Sequence, residues 1–370
     1  MTTPPYRLLE RGPDIAEFFA AVRDEPAVAV DLEADSLHRY PERICLVQVS
    51  TASRTAVLDP LAAPEVLDGL GDVLAAAEVL KILHGGDYDV RLLKRERRLP
   101  VRSLFDTMIA AQLTGRERFG LAALLEELFG VTLDKRHQRA DWSRRPLGPE
   151  LIAYAAADTA HLHALRERLA AELSSQGRLG WAEEEFELLG RVEPGAPRRP
   201  WCLDIKGAGR LAPRQLARLQ ALLETRDELA RAWNRPPFMV LANQVLIDWA
   251  QAPPAGRRAL AGTPGAGRAL LERVADRVLE ALERAEALPE QECPRAEPVR
   301  RIVLSASEER RLARLRAVRE EAARRLGLAP GLLVNGATLE KLARGGGAEA
   351  GLLKRWQAEA LGEPFLRATE

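Results

Sequence analysis

Three carboxylates follow a short apolar pattern in the stretch AVAVDLEADS, which covers Ala27–Ser36. Placing the like charges of Asp31, Glu33 and Asp35 this close together is costly when they are desolvated. Side chains two residues apart on a strand point to the same face, so Asp31 and Glu33 project together. Converging carboxylates suit a hard divalent cation such as Mg²⁺ or Mn²⁺. The stretch therefore predicts either a cation site or a strand that ends in a solvated acidic loop.

A second pair of candidate residues lies in the stretch LIAYAAADTAHL. Tyr154 and Asp158 are four residues apart in a convincing helical pattern, so they share one helix face. Their neighbours are almost all alanine, which allows another element to approach that face closely. A pair of this kind is either an ordinary surface pair or part of a site.

A third candidate stretch, KILHGGDYDVRLL, contains two further acids. An apolar strand ends at His84, two glycines allow a tight turn, and a helix is expected to begin near Asp87, which is expected to cap it. Asp89 would lie in the first turn, where the helix dipole favours a carboxylate. Both acids stand at the carboxyl end of a strand, where open α/β sheets tend to place their sites.

The elements that must position these residues alternate between strands and helices. Four patterns predict strands: VAVDLEA, RICLVQVST, RTAVLDP and EVLKILHG. Helical spacing predicts helices from about Pro64 to Ala77, from Asp87 to about Arg97, and over RFGLAALLEELFG and GPELIAYAAADTAHLHALRERLAAEL. Because several strands precede the first helix, we expect hairpins and therefore an α/β fold with a mixed sheet and flanking helices.

The second half of the chain has a different, helical character. The Pro/Gly/Arg-rich stretch RVEPGAPRRPW is typical of a linker, and CPRAEPVRR indicates a second one. Between and after them, LARLQALLETRDELARAWN from Leu216 resembles LARLRAVREEAARRLGL from Leu312, 96 residues later. The segment SASE, Ser305–Glu308, predicts a capping box at the start of the second copy. The sequence thus predicts three domains, at residues 1–195, 205–290 and 300–370.

Charge is segregated along a chain whose formal net charge is zero. Residues 191–235 carry ten Lys/Arg against five Asp/Glu, and residues 300–325 carry nine against four, a local excess of +5 in each run. This pattern fits a basic, polyanion-binding region attached to an acidic, metal-binding one. A compositional preference for arginine is the alternative, because the chain has 48 arginines and six lysines.

Composition limits the remaining choices. The chain is 46% hydrophobic and 29% charged, as expected for a globular protein, and no apolar run approaches membrane-spanning length. Cys45, Cys202 and Cys293 are odd in number and lack a CxxC pattern, which argues against a disulfide framework or a structural zinc. We therefore expect a cytoplasmic protein without a membrane partner.

Taken together and in this order, the candidate residues resemble the tyrosine-containing branch of the DEDD superfamily of 3′–5′ exonucleases. The family pattern is Asp-x-Glu on a first strand, an Asp at a central strand-to-helix turn, and Tyr-x-x-x-Asp on a late helix. The matching residues here are Asp31 and Glu33, Asp89, and Tyr154 with Asp158. At the turn, spacing from the end of the strand favours Asp89, and Asp87 is the alternative.

Within that superfamily the chain is most similar to the ribonuclease D family. The stretches LFDT, VTLDKRHQRADWSRRPL and YAAADT carry this resemblance, within a region of about Ala27 to Leu169. The C-terminal half resembles the paired helicase-and-RNase-D C-terminal (HRDC) domains of that family, starting near IKGAGRLAPRQLARL. The implied fold is a ribonuclease H-like exonuclease domain followed by two small all-α HRDC-type domains.

The resemblance also implies a mechanism with two divalent ions, Mg²⁺ or Mn²⁺. Asp31 would bridge both ions, Glu33 and Asp158 would complete the ion on the nucleophile side, and Asp89 would help to hold the second ion, through water. Tyr154 would orient the attacking water, because a neutral phenol is a poor base at pH 7.

Three further residues are candidate substrate contacts. Gln48 either faces the substrate or satisfies backbone groups at the end of its strand. Arg145, with Asp141 and Trp142, either contacts substrate or fixes a loop near the site. His84 is the third candidate.

The implied function is a metal-dependent 3′–5′ exoribonuclease, acting as a monomer on tRNA precursors or other structured RNA. One alternative is a 3′–5′ DNA exonuclease of the same superfamily, because HRDC-like domains also occur on DNA helicases. Another is a non-catalytic nucleic-acid-binding scaffold. The five intact site positions speak against the scaffold.

Overall fold

The architecture was obtained as a computed structural model, which describes residues 5–134, 136–195, 199–264, 267–296, 304–345 and 351–369. The chain forms two compact units. Unit 1 comprises Met1–Glu33, Ile44–Pro194 and Ile302–Glu370, and unit 2 comprises Ala34–Arg43 and Gly195–Arg301.

A six-stranded mixed sheet forms the centre of unit 1. Its order is β1-β4-β3-β2-β5-β6, with β3 and β4 antiparallel and the pairs β1–β4, β2–β5 and β5–β6 parallel. The strands are β1 (Tyr6–Leu9), β2 (Ala27–Ala34), β3 (Ile44–Ser50), β4 (Thr55–Leu58), β5 (Leu80–Leu83) and β6 (Leu104–Asp106).

Helices cover this sheet, and their buried aliphatic residues complete the core. Up to residue 194 they are α1 (Gly12–Val22), α2 (Glu65–Ala75), α3 (Asp87–Arg97), α4 (Thr107–Leu113), α5 (Leu121–Phe129), α6 (Pro149–Ala160), α7 (Leu162–Ser175) and α8 (Leu179–Gly190). All seven residues of β3 are buried, as expected for an inner strand covered on both faces.

The predicted mixed sheet with flanking helices is confirmed, with two kinds of difference. The sequence patterns did not reveal the short edge strands β1 and β6, nor α1, α4 and α8. The long helical pattern over residues 148–173 is two helices, α6 and α7, because the backbone of His161 leaves the helical region at φ −111° and ψ 0°. His161 is buried at this break and His163 lies within 2.9 Å of the Ser50 carbonyl, so both have packing roles.

Unit 2 is built around the long helix α9. Its helices are α9 (Pro213–Trp233), α10 (Pro237–Val240), α11 (Asn243–Gln251), α12 (Arg257–Ala261) and α13 (Arg268–Ala287). Leucine and valine side chains of α9, α11 and α13 form its core together with Trp249. The loop between β2 and β3 also belongs to this unit, since the Tyr40 hydroxyl donates to Asp227 of α9 at 2.5 Å.

The last helices of the chain pack within unit 1. They are α14 (Ala306–Leu326), α15 (Pro330–Leu333), α16 (Gly336–Gly345) and α17 (Arg355–Thr369). Trp356 of α17 stacks on Trp181 of α8 with ring centroids 5.6 Å apart, and its indole N–H donates to Glu185 at 2.6 Å. The predicted capping box is present, because Ser305 accepts from the Glu308 backbone N–H and its own N–H donates to the Glu308 carboxylate.

The internal repeat is present, but its register is 93 residues and not the predicted 96. In both copies two arginines of the long helix donate to backbone carbonyls, one just before a following helix begins and one near the end of that helix. The corresponding residues of the two copies are 93 positions apart. The bonds are Arg226 to Leu241 at 2.9 Å, Arg319 to Val334 at 3.0 Å, Arg218 to Ala250 at 3.1 Å and Arg311 to Ala343 at 2.7 Å. A three-residue shift is close to one helical turn and keeps the apolar face nearly in place, so the sequence pattern alone did not separate the two registers.

The domain boundaries at 195, 205, 290 and 300 stay predictions. Parts of both linkers, at residues 196–198 and 297–303, lie outside the described residues. All three cysteines are buried and none of them forms a disulfide bond, in agreement with the sequence. In the part of the chain that the structure describes, no helix has both the length and the apolar character needed to span a membrane.

Candidate active site

Strand β2 and helix α6 bring three carboxylates together in unit 1. Alternation along β2 directs Asp31 and Glu33 to one side, and α6 supplies Asp158. One oxygen from each of these side chains lies within 4.8 Å of the others. We call these three residues the acid cluster. Their spacing and their oxygen-only donor set fit a hard divalent cation.

Asp89 lies in the first turn of α3 and is buried next to the acid cluster. It is 8% exposed, and the charges of Asp31 and Asp106 act on its carboxylate. Asp87 faces solvent instead and binds Arg91 with Nε to Oδ2 at 2.8 Å. The expected capping role of Asp87 was wrong: the N-cap of α3 is Gly86, which has no side chain that could cap the helix.

Asp106, at the end of β6, fixes the turn that carries Asp89. Its Oδ1 and Oδ2 accept from the backbone N–H groups of Gly85 and Gly86 at 3.1 and 2.7 Å. The same carboxylate caps α4 by accepting from Met108 and Ile109 at 2.8 and 3.0 Å. Asp106 was not among the candidate site residues, although an Asp directly before a helix, as in the stretch LFDT, is an N-cap signal.

Burial raises the pKa values of all three carboxyl groups in the acid cluster, and repulsion between the carboxylates adds to this at Glu33 and Asp158. Burial raises the pKa of Asp31 to about 7, and burial with the nearby charge of Asp31 raises the pKa of Asp158 to about 8. Glu33 has its pKa raised to about 10 by burial and by the charges of Asp31, Asp158 and Asp89. A bound cation would reverse this balance, because it converts repulsion among carboxylates into ligation.

Tyr154 stands half-buried beside the acid cluster on α6. Burial and the charges of Asp158 and Glu33 raise the pKa of its hydroxyl, so the phenol is neutral throughout the neutral pH range. Its ring packs between two other rings: His137 lies edge-on with centroids 5.8 Å apart, and Trp142 stacks with centroids 6.0 Å apart.

A cavity of about 330 Å³ opens at the acid cluster and includes His84. It is lined by Asp31, His84, residues 120–123, Leu133, Asp134, Gln138, Tyr154 and Asp158. The Thr107 hydroxyl donates to the Leu83 carbonyl at 2.9 Å, so it accepts from His84 Nδ1 at 2.9 Å. Burial lowers the pKa of His84, which leaves a neutral ring with Nε2 as a hydrogen-bond acceptor.

Two of the expected substrate contacts, Gln48 and Arg145, have side chains that are not placed to reach a substrate. Gln48 is 0% exposed on β3, so a substrate has no access to it, and among the described residues its amide has no hydrogen-bond partner. Arg145 is fully engaged in holding a loop. Its guanidinium binds buried Asp59 at 2.5 and 2.7 Å and donates to the carbonyls of Cys45 and Trp142.

Asp35, the third carboxylate of the opening stretch, has a structural role. It is fully buried and accepts from the Arg43 backbone N–H at 2.9 Å, which closes the loop between β2 and β3. Of the two alternatives for the stretch, the structure thus gives Asp31 and Glu33 to the acid cluster and Asp35 to a loop.

Comparison with known proteins agrees with this geometry. A family model of 3′–5′ exonucleases matches residues 6–174, and a model of the HRDC domain matches residues 215–282. The sheet, the acid cluster and these matches define a 3′–5′ exonuclease. Exonucleases of this class depend on divalent metal ions, and the acid cluster contains carboxylates that could hold such an ion.

The similarity extends over nearly the whole chain. Ribonuclease D from Granulibacter bethesdensis is 31% identical over 98% of this chain and 92% of that protein. Ribonuclease D from Xanthomonas oryzae is 33% identical over 93% and 94%. The crystal structure of Escherichia coli RNase D superposes with a TM-score of 0.74 at 27% identity, covering 92% of this chain and 90% of that one. The chain belongs to the ribonuclease D family, and it is a 3′–5′ exoribonuclease.

Proposed function

We propose that Asp31, Glu33, Asp89, Tyr154 and Asp158 form the active centre, and that it uses two divalent ions, Mg²⁺ or Mn²⁺. The observation that carries this proposal is the approach of the three acid-cluster oxygens to within 4.8 Å of one another, with Asp89 buried beside them. Without a counter-ion, this arrangement is electrostatically unfavourable, as the raised pKa values of its members indicate.

In this proposal the four carboxylates are the ligands of two ions. Asp31, Glu33 and Asp158 would hold one ion, and Asp31 with Asp89 would hold the other. When bound, such a pair of ions activates water and stabilises the leaving oxygen of a phosphodiester. The reaction breaks the bond between phosphorus and the 3′ oxygen of the preceding nucleotide, and releases a nucleoside 5′-monophosphate.

Tyr154 and His84 complete the centre without carrying charge. The neutral Tyr154 hydroxyl is suited to orient the attacking water by hydrogen bonding, and not to remove its proton. His84 would contact the terminal nucleotide. Its Nε2 has no hydrogen-bond partner among the described residues and can accept a hydrogen bond from a sugar hydroxyl in the cavity that His84 lines.

The substrate that we propose is structured RNA with a single-stranded 3′ end, tRNA precursors included. The E. coli relative is an exoribonuclease involved in structured RNA processing. Two sets of exposed cations in the helical regions could bind the RNA backbone, since among the described residues none of them has an ion-pair partner. The first basic set is Lys206, Arg210 and Arg235, and the second basic set is Arg310, Arg314 and Arg316.

Other basic residues of these regions are not available for RNA. Arg218, Arg231 and Arg324 pair with Glu286, Asp227 and Glu321. Arg226 is buried and donates to the Leu241 carbonyl. The local charge excess of the sequence therefore overstates the free positive charge of the surface.

Calorimetric titration of the metal-free enzyme with Mn²⁺ tests the two-ion centre directly. We expect two sites in the wild type and one in Asp89→Asn. Binding of a single ion by the wild type, with activity at that occupancy, would refute the two-ion assignment.

A second experiment tests the substrate: hairpin RNA with a single-stranded 3′ tail should be shortened to the base of the hairpin. A matched DNA hairpin that is degraded equally fast would refute the RNA preference.

A further inference from the structure

The orientation of Tyr154 depends on its neighbouring rings. In the described part of the chain, no group hydrogen-bonds to its hydroxyl, so packing sets the direction in which the hydroxyl points. His137 contacts the ring edge-on, with an interplanar angle of 74°, and Trp142 stacks on it at 30°. Edge-to-face and offset-stacked arrangements are the favourable geometries for aromatic pairs.

Both rings come from the loop that joins α5 to α6, and the two are held differently. Trp142 is 2% exposed, and its carbonyl accepts from Arg145, which is anchored on Asp59. Trp142 is therefore part of the core beneath Tyr154. His137 is only half-buried, and its Nε2 lies 3.9 Å from a carboxylate oxygen of Glu150, in the first turn of α6.

His137 also lies at the site itself. Together with Tyr154 and Asp158 it lines a second cavity of about 330 Å³ beside the acid cluster. A ring that closes one side of Tyr154 in this cavity limits the positions that the Tyr154 hydroxyl can take. Small misplacements of a group that orients a reactant can cost much of its catalytic effect.

We propose that His137 is a positioning residue: its ring, packed edge-on against Tyr154, fixes the Tyr154 hydroxyl in the direction needed to orient the attacking water. This inference rests on the proposed role of Tyr154. It requires an aromatic ring at position 137 and does not require that the ring ionise.

Steady-state kinetics on RNA separates a ring requirement from other roles of His137. We expect His137→Ala to lower kcat about threefold to tenfold with KM nearly unchanged, since one aromatic pair is removed. His137→Phe keeps the ring edge and should retain most of the wild-type kcat. If His137→Phe is as slow as His137→Ala while its melting temperature is that of the wild type, the imidazole acts chemically and the ring-positioning role is wrong.

A double-substitution cycle distinguishes this inference from the role of Tyr154. In Tyr154→Phe there is no hydroxyl to position, so adding His137→Ala should cause no further fall in kcat. A full additional loss in the double variant would show that His137 acts independently of Tyr154 and would overturn the inference. If Tyr154→Phe itself has wild-type kcat, the proposed function of Tyr154 fails first, and His137→Ala should then also be without effect.

Discussion

In the proposed active centre, Asp31 is the residue whose replacement we expect to have the largest effect, because it belongs to the acid cluster and its charge adds to burial in raising the pKa of Asp89. Asp31→Asn keeps the size of the side chain and removes the charge shared between the two proposed ions. We expect it to abolish hydrolysis while the fold is retained. The matched control is Asp87→Asn, which changes an exposed acid two residues before Asp89 and should leave activity unchanged. If Asp31→Asn keeps a tenth of the wild-type rate at saturating metal, the assignment of the centre is wrong.

The acid cluster also makes the metal-free protein sensitive to pH. Burial raises the pKa of Asp31 to about 7 and that of Asp158 to about 8, well above the values of free carboxyl groups. Groups with a raised folded-state pKa contribute stability at acidic pH, and this contribution is lost as pH rises through the folded-state values.

In EDTA the melting temperature should therefore fall between pH 5.5 and pH 8.5 more steeply for the wild type than for Asp31→Asn. Mg²⁺ should restore the wild type at pH 8.5. Scanning calorimetry gives this comparison, and parallel pH profiles for the two proteins would show that the cluster is not the source of the effect.

Tyr154→Phe removes only the hydroxyl that we propose orients the water. Its rate should fall on the order of 100-fold, because water orientation and hydrogen bonding are lost while the ring and the ion ligands stay. RNA affinity, measured in Ca²⁺ without turnover, should barely change. A loss confined to affinity would instead make Tyr154 a substrate contact.

At the scale of elements, Asp106 connects three backbone segments. These are the turn before α3, the end of β6 and the start of α4. Asp106→Ala would leave four backbone N–H groups without their acceptor. We expect a loss of about 3 kcal/mol in the free energy of unfolding, measured by urea denaturation, since a buried charged acceptor is removed. Asp106→Asn keeps one acceptor oxygen and should lose less. Equal stability of Asp106→Ala and the wild type would contradict the bridging role.

Local patterns predicted the elements that carry the chemistry, and long-range packing decided the rest. Strand alternation placed Asp31 and Glu33 on one face, and helix spacing assigned Asp158 to one face of its helix, because both periods can be read over a few residues. Only the resemblance to the DEDD pattern joined Asp158 to the first pair. The burial of Gln48 and the Arg145–Asp59 pair could not be read in this way. Arg145 and Asp59 are 86 residues apart, and only the folded sheet brings them together.

At the scale of the whole molecule, local sequence patterns also could not predict which segments of the chain pack into the same unit. Residues 302–370 join unit 1 through such interactions as Lys354 to Glu185 at 2.6 Å. The loop Ala34–Arg43, although it interrupts the catalytic sheet in sequence, joins unit 2 through Tyr40. Each grouping includes polar contacts between residues that lie more than 160 positions apart in the chain.

The two basic sets are expected to act on the RNA backbone as a whole. Replacing either set by glutamine should weaken RNA binding and reduce the slope of log affinity against log salt by about 0.7 for each phosphate that the variant no longer binds. The matched control replaces three arginines that already pair with Asp276, Glu272 and Glu321, namely Arg257, Arg268 and Arg324. Equal salt slopes for all variants would show that the basic sets do not bind RNA, and that the arginine content reflects composition only.

The most direct test of the whole account is a time course on RNA labelled at the 3′ end or at the 5′ end, with matched DNA, in Mg²⁺, Mn²⁺ or EDTA. We expect the 3′ label to be released first as a mononucleotide and the 5′-labelled RNA to shorten stepwise. We also expect slower loss of DNA, and no cleavage in EDTA or by Asp31→Asn. Early release of the 5′ label, or an unchanged ladder with Asp31→Asn, would contradict a 3′–5′ exoribonuclease centred on the acid cluster.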